Sequence, residues 1–204
     1  MCFVLNLTQL TIWGDMKSYP LAAVIILIAF AVPTNVIAGQ SGSPEYTRAN
    51  RMYVEGKYSD ALRAFQQLLT RHSGDIAIGD VHARLGDCYF QLHDYRNALN
   101  AYRTAIGSQN NSQKPATQYW IGFCVLLLGN NKEAVVEFLK IPDLYPSSGM
   151  WVGTAYYWAG MASERMGQRV QAADYYRKAA GNGKSTQGQY ALKRADAVHQ
   201  GENK

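Results

Sequence analysis

Four alanines, Ala61, Ala98, Ala134 and Ala172, stand 37, 36 and 38 residues apart, and other residue types repeat in step with them. Four residues after each comes an aromatic: Phe65, Tyr102, Phe138 and Tyr176. Five before each stand Gly56, His93, Gly129 and Gly167, and twelve before each the small residues Ala49, Gly86, Gly122 and Gly160. A fixed period of this length means one supersecondary unit stacked on copies of itself, since a single unit cannot bury its apolar face alone. A single closed core is thereby excluded.

The columns fit a helix-turn-helix unit. The small residue and the alanine let two antiparallel helices approach closely, while the aromatic fills the space beneath them. A residue just past a helix C-terminus often takes a left-handed conformation, which glycine adopts freely and histidine better than most. Ser59, Asp94 and Asn131 stand where an N-cap for the second helix is wanted. The expected fold is an all-α solenoid of four hairpins over about residues 42–75, 79–112, 115–148 and 153–184. A capping helix over 185–200, with Tyr190, Ala191, Ala195 and Val198 on one face, precedes a tail at 201–204. The inter-repeat connections lengthen around Asp75 to Ile78 and Gly149 to Val152.

Composition narrows the class. Of 204 residues, 48% are hydrophobic and 17% charged, which excludes a disordered chain; Gly 18, Pro 6 and Cys 3 exclude collagen-like, low-complexity and disulfide-stapled classes. Lys and Arg match Asp and Glu at 11 each over 39–164, so the whole excess of five lies in 165–204, where they number 8 against 3. This is too mild for a nucleic-acid binder. Arg165, Arg169, Arg177, Lys178, Lys184, Lys193 and Arg194 are the candidates for an anionic contact; the alternative is a solvated face on the capping helix.

The apolar run Leu21 to Val32 is shorter than the roughly 20 residues a membrane span needs. With Lys17 before it and Val36-Ile37-Ala38 after the break at Pro33, it reads as a signal-peptide core in a leader over 1–38, cleaved after Ala38. Met16 is then the natural start, and 39–44 is a linker. The competing reading is an uncleaved anchor facing the periplasm, with membrane contact through the leader. Both readings export the folded part, and Gly39 in place of a cysteine argues against direct lipidation.

The columns resemble the tetratricopeptide repeat, a 34-residue helical hairpin. The second unit carries the match best, through Leu85-Gly86, Tyr89, Asp94-Tyr95, Ala98, Tyr102 and Ala105. Asn131 and Arg169 depart from the aromatic found at Tyr58 and Tyr95, and only Pro146 stands at the usual repeat-end proline position. The lengthened repeats are similar to those of bacterial envelope proteins, in particular the Tol-Pal-associated cell-division coordinator and the helical-repeat lipoprotein of the β-barrel assembly machine.

The resemblance implies a right-handed superhelix whose concave surface is lined by repeat positions 2, 5, 9 and 12. Those columns hold Tyr46, Asn50, Tyr53, Asp87, Phe90, Tyr119, Phe123, Leu126, Tyr157 and Met161. Aromatics along a groove anchor a partner segment, because each removes much area from water at small rotamer cost. The alternatives for the same stripe are plain core, self-cover and self-association. The family's carboxylate clamp needs lysine where Tyr46 stands, so an acidic chaperone tail is not the expected partner.

Catalytic signals are missing from the chain's pattern. Gly181-Asn182-Gly183-Lys184-Ser185-Thr186 imitates a phosphate-binding loop, but Lys178 stands where its first glycine belongs and a helix precedes it. His72, His82, His93 and His199 have no metal-ligand spacing, so no metal or cofactor is expected. Cys88 and Cys124 share a column on parallel helices roughly 9 Å apart. That is beyond the roughly 7 Å Cα separation of a disulfide, so two buried free thiols are expected. The expected function is a non-catalytic exported scaffold binding a protein or peptide on its concave face in envelope assembly or maintenance. A self-associating envelope subunit and a cell-wall glycan-binding module are the alternatives.

Overall fold

The computed structural model describes residues 43–71, 78–109, 112–181 and 186–200. The leader, most of the linker, Lys184 and the tail lie outside them. The described residues form nine helices: α1 (Pro44–Val54), α2 (Tyr58–Arg71), α3 (Ile78–Gln91), α4 (Tyr95–Ser108), α5 (Lys114–Leu127), α6 (Asn131–Leu144), α7 (Gly149–Arg165), α8 (Arg169–Ala180) and α9 (Thr186–Gln200). Each packs on its neighbours in sequence, and α7 also touches α5 and α9. The result is four hairpins, α1/α2 to α7/α8, with α9 as a cap.

The columns account for this geometry. All four alanines of the period are fully buried. A Cβ placed at Gly86 would come within 2.6 Å of the Tyr102 ring, and one at Gly122 within 2.8 Å of Phe138, so each ring lies directly on the partner helix's backbone. The turn column takes positive φ throughout, at Gly56 (77°), His93 (61°), Gly129 (85°) and Gly167 (74°). Each turn closes with the same pair of bonds, as where Gly129 N–H donates to the Leu126 carbonyl and Asn130 N–H to that of Val125.

The capping expectation is corrected in two of its three places. Asp94 accepts from Asn97 N–H at 3.2 Å and caps α4. Ser59 lies inside α2, and Asn131 is the first residue of α6, with its side-chain oxygen buried and without a partner. The cap stands four residues before each alanine, where Asp94 is joined by Lys57, Asn130 and Gln168. Asn130 and Gln168 make no side-chain cap bond. Ser43 caps α1, so helix begins at Pro44, inside the expected linker.

In α9, Ala191, Ala195 and Val198 are buried, the last two against Ala172 and Tyr176. Tyr190, expected on that face, is 42% exposed and meets Tyr157 at the rim, with ring centroids 6.0 Å apart. The lengthened connection at Gly149 to Val152 forms an extra turn, giving α7 17 residues where α3 has 14.

Candidate functional site

The first helices of the hairpins, α1, α3, α5 and α7, carry the predicted docking residues, and the structure separates these into two half-exposed ends and a closed middle. At the N-terminal end, Tyr46, Asn50, Tyr53 and Asp87 are half-buried. Arg84 reaches back from α3 so that its guanidinium carbon lies 5.8 Å from the centre of the Tyr53 ring. The same side chain pairs with Asp87 at 3.0 Å, and Asp87 accepts from the Tyr102 hydroxyl at 2.8 Å. Burial raises the Tyr53 phenol's pKa, and the Asp87 charge adds to that effect. Burial works against the charge on Arg84, but Asp87 and Tyr46 outweigh it, so this guanidinium stays charged.

The other end is built alike. Tyr157, Met161 and Glu164 are half-buried on α7. Arg194 reaches back from α9 with two bonds to the Glu164 carboxylate, at 2.6 and 3.0 Å, and the Tyr176 hydroxyl donates to the same carboxylate at 2.8 Å. In both places a tyrosine of the aromatic column donates to a carboxylate on its hairpin's first helix and an arginine neutralises that carboxylate, Arg84 from the same helix α3 at one end and Arg194 from the following helix α9 at the other.

The middle corrects the sequence reading. Phe90, Tyr119, Phe123 and Leu126 are only 5, 1, 2 and 1% exposed, so they are interior residues and offer no free surface. Tryptophans close over them: Trp120 lies 5.0 Å from Phe90, Trp158 4.7 Å from Phe123 and Trp151 5.5 Å from Tyr119, centroid to centroid. The anion-contact candidates are corrected in part. Arg194 is committed to Glu164, and Lys178 pairs with Asp174 at 2.9 Å beside the Tyr156 and Tyr175 rings. Arg165, Arg169, Arg177 and Lys193 are exposed.

Three residues that the sequence reading missed, Arg84, Trp120 and Trp158, form a column with Arg194, which it names only as an anion-contact candidate. Arg84, Trp120, Trp158 and Arg194 are spaced 36, 38 and 36 apart, in the same period as the alanines. Each leans on the preceding first helix. The spacing was visible, but arginine and tryptophan share no property that would make them a column before their common position is known.

Cys88 and Cys124 are free and fully buried, and burial pushes both thiols up to about 12. Among the described residues no group of His, Cys, Asp and Glu could hold a metal ion, and no helix is long and apolar enough to cross a membrane. The imitation of a phosphate-binding loop lies largely outside them; its first residue, Gly181, ends α8.

Two family models of the tetratricopeptide repeat match, at residues 83–148 and 154–182. The chain carries tetratricopeptide repeats over these residues. The family comprises chiefly protein-binding scaffolds without catalytic activity, which fits a face built of tyrosines and neutralised ion pairs. No curated protein matches the chain. Solved structures share the tetratricopeptide superhelix. YrrB, described as a TPR protein with an unusual peptide-binding site, is 22% identical over 73% of each chain, with a TM-score of 0.60. MamA from Desulfovibrio magneticus RS-1 is 18% identical over 78% of this chain and 93% of its own, at TM-score 0.57. The apo form of RapI is 12% identical over 78% of this chain and 48% of its own, at TM-score 0.70. At these identities the likeness concerns the fold alone.

Proposed function

We propose that this tetratricopeptide-repeat protein is an exported, non-catalytic scaffold that captures a segment of a partner protein in cell-envelope assembly or maintenance. The contacts are made on the inner face by Tyr46, Asn50, Tyr53, Asp87, Tyr157 and Met161. The observation that carries this reading is the pair of half-exposed tyrosine stations at the two ends of the face, Tyr53 held beside Arg84 at one and Tyr157 packed on the Tyr176 and Tyr190 rings at the other. A tyrosine held by its neighbours loses little rotamer freedom on binding, so its buried area is not offset by ordering. Export rests on the Leu21 to Val32 run and the Val36-Ile37-Ala38 site. The envelope role rests on the lengthened repeats, and YrrB's peptide-binding site is a precedent within the fold.

The test is a crosslinking pull-down from intact cells, comparing the wild-type chain with a Tyr46→Ala, Tyr53→Ala, Tyr157→Ala triple variant. The expected result is one envelope protein recovered by the wild type and lost with the variant. Recovery of the chain alone would make it a self-associating subunit. Equal recovery by both would move the contact away from the inner face.

A further inference from the structure

Helices α1, α3, α5 and α7 each turn back into the following helix within a few residues, so the four turns lie along one edge of the stack. Each turn closes around its positive-φ residue, and in the last three the residue just before it is aliphatic: Leu92, Leu128 and Met166. Leu92 is 39% and Leu128 37% exposed, and Val170, four residues after Met166, is 72% exposed. Val136, 55% exposed, joins Met166 and Lys132 in the open hollow between the third and fourth turns. A single exposed aliphatic is ordinary on a protein surface. Their recurrence at one repeat position, along one edge, makes a row.

Each of these three turns also carries a cation without a counter-charge. The side chains of Arg96, Lys132 and Arg165 are exposed and enter no ion pair among the described residues. The acids beside them are committed elsewhere. Asp94 accepts from Asn97 N–H at 3.2 Å, Glu133 pairs with Arg103 at 2.8 Å, and Glu164 holds Arg194 at 2.6 Å. The first turn lacks this imbalance, because Lys57 pairs with Glu55 at 2.8 Å. The edge therefore presents three uncompensated positive charges, each set beside an exposed aliphatic side chain.

We propose that this edge docks on the surface of an anionic phospholipid bilayer. Leu92, Leu128, Met166 and Val170 dip between the headgroups, and Arg96, Lys132 and Arg165 meet their phosphates. Uncompensated cations call for an anionic surface, whose negative potential attracts each of them. The projecting aliphatic tips select a bilayer over an acidic protein, because each gains by leaving water only where the surface yields to let it in. The contact is separate from the leader and from the inner face, so a docked chain keeps that face free for a partner. The outcome of the pull-down does not bear on it.

The test follows amide hydrogen exchange of the full chain as phosphatidylcholine vesicles, with or without phosphatidylglycerol, are added; exchange reads the turns separately from the leader. Residues 91–96, 127–132 and 165–170 are expected to gain protection with phosphatidylglycerol only, and residues 143–150 at the opposite edge to gain none. Arg96→Gln, Lys132→Gln and Arg165→Gln together are expected to raise the lipid concentration for half protection about a hundredfold, at about fivefold per basic side chain. Leu92→Ser, Leu128→Ser and Val170→Ser together are expected to raise it about tenfold. Leu144→Ser with Met150→Ser, exposed at the opposite edge, is expected to leave it unchanged. All these side chains are exposed, so the variants keep the fold, which circular dichroism checks. Vesicle binding without protection of the turns would assign the contact to another part of the chain and overturn the proposal. Equal protection by both lipids, or protection by polyglutamate and not by vesicles, would overturn it as well.

Discussion

At Gly86 the fold leaves no room for a methyl group: a Cβ would sit 2.6 Å from the Tyr102 ring, which is itself held by its bond to Asp87. Gly86→Ala should therefore destabilise the chain by about 1–3 kcal/mol, the range for overpacking a well-fitted core, and calorimetry would show a lower midpoint. An unchanged midpoint would mean that the ring moves aside freely. The two thiols give a second prediction. Both are pushed up to about 12 by burial, above their value in the unfolded chain. A group with a raised folded pKa contributes its full stability below the unfolded value of about 8.5 and loses it as pH rises toward the folded one. Urea midpoints should therefore fall between about pH 9 and 11, and Cys88→Ala with Cys124→Ala should flatten that decline. The buried phenols of Tyr102 and Tyr119, also raised by burial, add a decline of the same sign above about pH 10.

The hairpin is the element that the local code specifies, and its entry into the second helix is where that code is unevenly used. Asp94, Asn130 and Gln168 have nearly the same backbone angles, with φ near −87, −83 and −82° and ψ near 71, 65 and 66°. Only Asp94 accepts a cap bond. Replacing Asp94 by alanine should cost about 1 kcal/mol, and Gln168→Asp should gain a comparable amount, because the backbone already stands in the capping geometry. Denaturant melts of the two variants should move in opposite directions. Ser59 and Asn131 were misplaced as caps because a polar side chain near a turn looks like a cap from sequence alone. The paired turn bonds at each positive-φ residue fix where the second helix starts, and they place the cap four residues before the alanine.

Across the whole molecule the solenoid is a linear stack, so its ends matter more than those of a closed core. Removing residues 186–204 would uncover Ala172 and Tyr176 and leave Glu164 without Arg194. The truncated chain should show a lower urea midpoint and concentration-dependent association in sedimentation, and a monomer of unchanged stability would show that α9 is dispensable. The repeat, the number of hairpins, the turn column and the ring-on-glycine packing are all legible in the order of residues. All of these are consequences of a period that recurs within one unit and of sterics between residues in fixed helical register. The tertiary structure alone decided which inner-face residues are open. Periodicity says that Tyr119, Phe123 and Tyr157 point to the same side of their helices, but not what stands over them. That depends on Trp151 and Trp158 arriving from the next unit, and on an extra turn at Gly149 that a change in spacing signals without giving its shape. Burial is a property of what packs across a unit boundary, and no residue's own position in the repeat records it.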